Sequence, residues 1–448
     1  MKYRINLISK SPIMIGEKKT KSNYFKSLNN FPGSVFYAAL AKEISYRCFY
    51  NETKEFDENN NEKMFWVKEG KVDNKDCMKN DCSVKNLCRM FKKIKVSHFY
   101  PFGLGVLPLT AKVSKDYGDK ICDILHENIL MDLDYEEYKK IRKKYENEFG
   151  RVENKKGLNI YSRNDFDYKT YKCFIEEDYH LITRSAIDPL RKSAEYGSLF
   201  SYDLLKSIKL NRKIEEYGKD TIEEDNFTGY IKIDSDNEKI KENIINEIIN
   251  LDNIYLGGMI SIGYGKCNID NINREPLNLN KTDSIVDRIN NFNKYLKKYN
   301  MKDKIYIPIL LESDAYIFDN FGTKINDLNS KSGLNPSNIE TEDYKELIKN
   351  EFIKDKELSS EFTLEKIFAE YESLRGFDTS KQIGFLRDIS IVMKSGSVIL
   401  MSIKKIDAKI MGYLEKISSD GIGEKNEYGF GAVKICDDFH NKYKRNLS

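Results

Sequence analysis

The sequence predicts an α+β fold made of two related modules, and three observations predict it. Both halves open on a strand: Lys2–Ile8 alternates polar and apolar residues, and the short apolar run Ile305–Leu311 opens the second half. Helical spacing then appears after strand spacing, with Ile240, Ile244, Ile245, Ile248 and Leu251 following the alternating run Phe227–Ile233. Finally, a glycine loop ending in Gly-aromatic-Gly occurs twice, at Gly257–Lys266 and at Gly421–Gly431, each time leading into a short strand. A chain of 448 residues has room for two or three domains of roughly 150 residues.

The elements follow in order. Gly16–Asn30 is a polar connection, and Ser34 is the expected N-cap of a helix with Val35, Ala38, Ala39 and Ala41 on or near its apolar side. This strand-loop-helix opening suits a ferredoxin-like (RRM-like) module. Glu52–Lys63 has too little apolar content to pack and reads as a loop, and Asp132–Glu148 reads as a solvated helix. Tyr171–Ile182 and Leu199–Leu205 flank Thr183–Glu195 as the sides of a hairpin. Asp283–Lys298 is a connecting helix, Asp314 a turn or cap residue, and Asn326–Asp343 a polar loop. Phe362–Leu374 reads as helical; Ile389–Met393 and Ser397–Ile403 read as strands around Ser395-Gly396.

Composition excludes some classes. The longest apolar stretch, Ile305–Leu311, is far short of the ~20 residues a membrane helix needs, and the N-terminus lacks the apolar run of a signal peptide, so a cytoplasmic protein is expected. The chain carries 74 basic and 71 acidic residues, a net charge of +3, so any nucleic-acid site must be a local patch. Tyr, Phe and Lys, which stack on bases and neutralise phosphates, are abundant.

Two clusters carry chemistry. In Gly421–Gly431, four glycines in eleven residues mark backbone of positive φ or close approach, and such a loop can present N–H groups as an anion nest. It is neither a nucleotide-hydrolase phosphate loop, lacking Gly-Lys-Ser/Thr, nor a dinucleotide fingerprint, since it precedes a strand instead of following one. The second cluster is Cys77-x4-Cys82-x5-Cys88 followed by His98, a set able to hold one structural zinc; Cys122, Cys173 or Asp76 are alternatives to His98 as fourth ligand.

The glycine loop Gly421-Ile422-Gly423-Glu424 to Asn426-Glu427 and Gly429-Phe430-Gly431 resembles the C-terminal signature of the RAMP superfamily, the RNA-binding subunits of CRISPR effector complexes. Phe31-Pro32-Gly33-Ser34-Val35 with Ala38–Ala41 resembles that family's Pro-Gly-Ser helix start. Val96–Pro101, Leu107–Ala111, Arg184–Asp188 and Ser313–Ala315 are similar to further stations of one branch, the large two-module subunit of type III-D systems, the Csx-ten family. The resemblance implies ferredoxin-like modules at residues 1–275 and 301–448, joined by a connecting helix over 276–300. It implies an insertion with the zinc loop at about 50–180 and a thumb hairpin at about 183–200.

In function, the resemblance implies a non-catalytic subunit that holds the 5′ handle of a CRISPR RNA, with a large polymerase-like subunit and backbone RAMP subunits as partners. The residues expected at RNA are Gly421, Gly423, Lys425, Gly429, Phe430 and Gly431; Gly263, Tyr264, Gly265 and Lys266; and Arg184, Ile187, Arg191 and Lys192. Arg184, Arg191 and Lys192 suit phosphates, while Ile187, Pro189 and Leu190 form an apolar wedge. Two features depart from the family: Met259–Ile262 is uncharged, and Lys425 is flanked by Glu424 and Glu427. The rival reading is a CRISPR RNA-processing endoribonuclease of the same superfamily. Such enzymes use a histidine in the early helix, whereas the histidines here are His98, His126, His180 and His440; the aspartate that target-cleaving subunits use has no counterpart in Gly16–Pro32.

Overall fold

A computed structural model describes residues 2–16, 23–47, 82–101, 105–116, 121–131, 139, 143, 151–154, 158–159, 171–214, 218–224, 226–275, 284–299, 304–317, 345, 348–350, 352–353, 355–378 and 385–442. The readings at Glu52–Lys63 and Asn326–Asp343 lie outside these residues, as does most of Asp132–Glu148. The architecture mixes helices and strands, an α+β fold. It divides into two compact units, one of Met1–Leu104, Ser162–Leu279 and Glu427–Gly429, the other of Gly105–Tyr161, Asn280–Asn426 and Phe430–Ser448. No described helix is long and apolar enough to cross a membrane.

The first unit is built on β1 (Lys2–Ser9), α1 (Gly33–Arg47), α2 (Lys85–Met90), β2 (Ile94–Val96), a long hairpin of β3 (Tyr171–Ile187) and β4 (Ala194–Ile214), β5 (Gly218–Glu224), β6 (Asn226–Ile233), α3 (Glu238–Ile249), β7 (Asn253–Tyr255) and β8 (Lys266–Glu275). Its main sheet runs β7-β8-β1-β6-β2 with antiparallel neighbours. β1 and β6 alternate buried and half-exposed residues, as strands with one covered face must. α1 begins at Gly33, one residue ahead of the expected Ser34 cap, where Val35 N–H donates to Pro32 O at 2.9 Å. Its core side is Phe36, Leu40 and Ile44, four apart, while Ala38 is exposed. α3 is capped by Asn237, whose Oδ1 accepts from Ile240 N–H at 3.3 Å, and buries Ile244, Ile245 and Ile248.

The second unit contains α4 (Ile285–Leu296), β9 (Ile305–Leu311), α5 (Lys356–Glu361), β10 (Thr363–Phe368), a hairpin of β11 (Tyr371–Asp378) and β12 (Phe385–Met393), β13 (Val398–Ile403), α6 (Ala408–Asp420) and β14 (Val433–Ile435). Ser284 and Asp287 close a capping box at the start of α4. The sheet runs β10-β13-β9-β14, again antiparallel, with β13 buried throughout. The expected helix over Phe362–Leu374 is instead strand: β10 and the start of β11, which belong to different sheets. A bulge between Leu364 and Lys366 breaks the two-residue alternation, so Leu364, Ile367 and Phe368 acquire helix-like spacing inside a strand that pairs with β13. The short helix α5 lies just ahead of it, capped by Asp355.

The two sheets have one plan. Counting four strands in each unit, the order across the sheet is fourth, first, third, second: β8-β1-β6-β2 and β14-β9-β13-β10. In both, a hairpin leaves the chain between the second and third strands.

Candidate nucleic-acid interface

In each unit a short segment after the first strand ties the root of the hairpin to the glycine loop. In the first unit Ile13 and Leu205 exchange backbone hydrogen bonds at 2.8 and 2.9 Å, Gly258 N–H donates to Met14 O at 2.7 Å, and Gly265 N–H donates to Pro12 O at 2.9 Å. In the second, Ala315 and Met393 exchange bonds at 2.8 and 3.0 Å, Glu424 N–H donates to Tyr316 O at 2.9 Å, and Gly431 N–H donates to Asp314 O at 2.8 Å. The loops close on themselves identically, Leu256 N–H to Gly265 O and Ile422 N–H to Gly431 O, both 2.8 Å. Each loop is therefore a brace, and its glycines lie against protein backbone.

The requirement for glycine is steric. A Cβ on Gly423 would stand 2.2 Å from Tyr316 O, and one on Gly431 1.9 Å from Ile422 O; in the first unit, Gly257 meets Met14 O and Gly265 meets Leu256 O, each at 2.2 Å. All four have positive φ. Because Gly431 N–H and its neighbours donate to protein carbonyls, the loop has fewer donors left for an anion than its composition suggests. Gly429, counted with the first unit, would bring a Cβ to 2.7 Å from Val96 O. Alanine at 429 or 431 would therefore meet backbone of the protein itself. Phe430 packs edge-on against Tyr316 at 4.9 Å, and Lys425 Nζ lies 3.6 Å above the same ring. Gly263 differs: at φ +96° nothing lies within 4 Å of its Cβ position, and Ser261, Ile262 and Gly263 are exposed. Tyr264 and Lys266 are half-buried beside this open tip.

The first hairpin carries the other expected residues. β3 and β4 run 17 and 21 residues, pairing Thr183 with Ser201 and Arg184 with Phe200. Toward the tip the strands are exposed, Ile187 at 58%, Leu190 at 92% and Leu199 at 60%. Asp188 builds the turn: its Oδ1 accepts from Leu190 N–H at 2.8 Å and Arg191 N–H at 3.1 Å, and its N–H donates to Ser193 O at 2.9 Å. Ile187, Arg191 and Lys192 thus share the tip, with Arg184 further down β3. Nearer the root, Lys26 Nζ sits 4.4 Å over Tyr179, and Phe25 stacks on Tyr202 at 5.1 Å.

At the second hairpin's root, Asp314 Oδ1 accepts from Ser395 N–H at 2.7 Å, and Lys394 Nζ reaches Asp314 at 3.2 Å and Glu372 at 2.9 Å. Burial disfavours the Lys394 charge, yet these two carboxylates outweigh it and raise its pKa. Asp314 therefore acts as a turn anchor.

Of the zinc residues, Cys77 lies outside the described residues. Cys88 lies in α2, whose first N–H groups are capped by Glu247, with Asn86 N–H at 3.0 Å from Oε1 and Leu87 N–H at 2.6 Å from Oε2. His98 Nδ1 accepts from Gly33 N–H at 3.4 Å. No three His, Cys, Asp or Glu side chains among the described residues converge as a metal site. The histidines are mostly enclosed: His98 is 8% exposed, His126 1% and His440 0%, while His180 is exposed on β3. His440 Nδ1 meets Asp123 Oδ2 at 2.8 Å, a buried pair 317 residues apart that no sequence signal announces.

No protein-family model matches this chain, and no curated protein matches it. Among solved structures it is similar to the type III-B Cmr-beta complex bound to cognate target RNA, at 12% identity and TM-score 0.38, covering 97% of this chain and 99% of that one. It is also similar to a CRISPR-associated protein Cas6, at 10% identity and TM-score 0.32, covering 97% and 98%. A chain of a type IV-B CRISPR complex matches at 11% identity and TM-score 0.28, covering 65% of this chain and 98% of that one. These superpositions are loose, so the functional reading rests on this chain's own residues.

Proposed function

We propose that this chain is a non-catalytic RNA-binding RAMP subunit of a type III effector complex, of the III-D branch, made of two ferredoxin-like modules that hold the 5′ handle of a CRISPR RNA. The observation that carries this reading is the first hairpin, an exposed arm with Arg191, Lys192 and Ile187 at its tip and its root tied to a glycine loop. Cations for phosphates beside apolar side chains for unstacked bases are what single-stranded RNA requires. Arg184 and the open tip at Gly263 and Tyr264, with Lys266 beside it, extend the first unit's surface; in the second unit, Lys425 and Phe430 offer a cation and a ring of their own beside Tyr316. The sequence motifs supply the CRISPR context and the partners, a polymerase-like subunit and backbone RAMP subunits.

The non-catalytic reading is supported by the enclosure of His98, His126 and His440. A structural zinc on the cysteine cluster Cys77, Cys82 and Cys88 belongs to the same proposal; Cys82, Cys88 and His98 do not converge among the described residues, so the fourth ligand would be a group other than His98. Bound there, zinc would tie the cysteine loop together and supply folding energy.

Sequencing RNA that copurifies with the native protein tests the proposal. A discrete repeat-derived 5′ end is expected, and Arg191→Ala with Lys192→Ala should weaken handle binding in a salt-dependent way. Protein free of RNA that also fails to bind repeat RNA would refute it. Site-specific cleavage of repeat RNA, abolished by His180→Ala, would favour the nuclease.

A further inference from the structure

We infer that the second hairpin, β11 and β12, is a second RNA-contacting arm, equivalent to the first. The inference rests on the RNA-binding reading above and extends it to a site that the sequence motifs do not mark. Its first ground is topology. Both hairpins leave their sheets between the second and third strands, and each is fixed at its root by a reciprocal pair of backbone bonds, Ile13 with Leu205 and Ala315 with Met393. In both units the same segment then reaches the glycine loop, at Met14–Gly258 and Tyr316–Glu424. Equivalent parts thus stand in equivalent places.

The second ground is stability. Beyond the root bridge of Met393 with Ala315, β11 and β12 pair with no other strand among the described residues, a two-stranded sheet apart from the four-stranded one. Val392 and Met393 are buried at its root, whereas two strands alone are marginal in water, so the outer part of such an arm gains from a partner. The third ground is residue type. Beyond the root, Arg375 and Phe377 occupy β11, and Phe385 and Arg387 occupy β12; Phe377 pairs with Leu386 and Asp378 with Phe385, so the aromatics hold adjacent register positions. Arginine and phenylalanine are the residue types that neutralise phosphates and stack on bases of single-stranded RNA. Asp378 and Asp388 lie on the same strands, so the recognition is local and does not depend on net charge.

Ultraviolet crosslinking of the unsubstituted protein to repeat RNA, with mass spectrometry of the crosslinked peptides, tests this directly. Adducts within 371–378 or 385–393 are expected alongside adducts at the first arm. In parallel, Arg375→Ala with Arg387→Ala should lower the slope of log affinity against log salt by about 1.4, the loss of two single-strand phosphate contacts. A thermal melt matching the parent keeps that effect distinct from unfolding. Adducts confined to the first arm, or protection of 371–393 by a partner subunit and not by RNA, would overturn the inference and leave the RNA-binding reading standing. A parent protein that binds no RNA overturns both.

Discussion

Gly431→Ala should destabilise the second unit far more than Gly263→Ala destabilises the first. Both residues have left-handed φ, +71° and +96°, so each substitution carries about 1–2 kcal/mol of backbone strain. At Gly263 the cost ends there, because nothing lies within 4 Å of the new Cβ. At Gly431 the Cβ would stand 1.9 Å from Ile422 O, so the two segments must separate. Separation strains the 2.8 Å bonds from Ile422 N–H to Gly431 O and from Gly431 N–H to Asp314 O. At about 1 kcal/mol for each bond, the total reaches roughly 3–4 kcal/mol. For a unit of this size that lowers Tm by about 6–16 °C, against about 2–8 °C for Gly263→Ala. Circular dichroism melts of both variants beside the parent provide the assay. Equal shifts, or a Gly431→Ala melt within about 1 °C of the parent, would show that the loop relaxes freely and refute the brace.

Asp188→Ala removes the acceptor for Leu190 and Arg191 N–H, and should speed hydrogen exchange of those amides about fivefold, a local loss near 1 kcal/mol, with the global melt unmoved. Asp437 is a buried acid: burial favours its neutral form, but Lys434, His440 and the Phe439 N–H hold its pKa below the ordinary carboxylate value. A depressed folded pKa gives stability that is present above the unfolded pKa and lost as pH falls through the folded one, so the second unit's Tm should drop below about pH 4, and less steeply in Asp437→Asn. An equally steep drop in that variant would count against it. Metal analysis should find about one zinc per chain, lost in Cys82→Ser with Cys88→Ser; under about a tenth of a zinc in the parent would remove zinc from the proposal.

The sequence by itself determined the elements whose apolar spacing is regular, β1, β6 and α3, because period alone states which side of an element is covered, and it marked β9 as a short continuous apolar run. It also marked the positions where backbone must turn left-handed, since only glycine meets that demand without strain at Gly257, Gly265, Gly423 and Gly431. It placed Ile187, Arg191 and Lys192 together, as near neighbours in the chain. Tertiary structure decided the rest. The bulge in β10 made a strand look helical, and only pairing with β13 resolved it. The partners of the glycines, Met14 O and Tyr316 O, lie far off in sequence, as does Asp123 from His440. Periodicity records that a face is buried without recording what buries it; strand order, the braces at the hairpin roots and the equivalence of the two arms arise from pairings between distant segments, which no local spacing encodes.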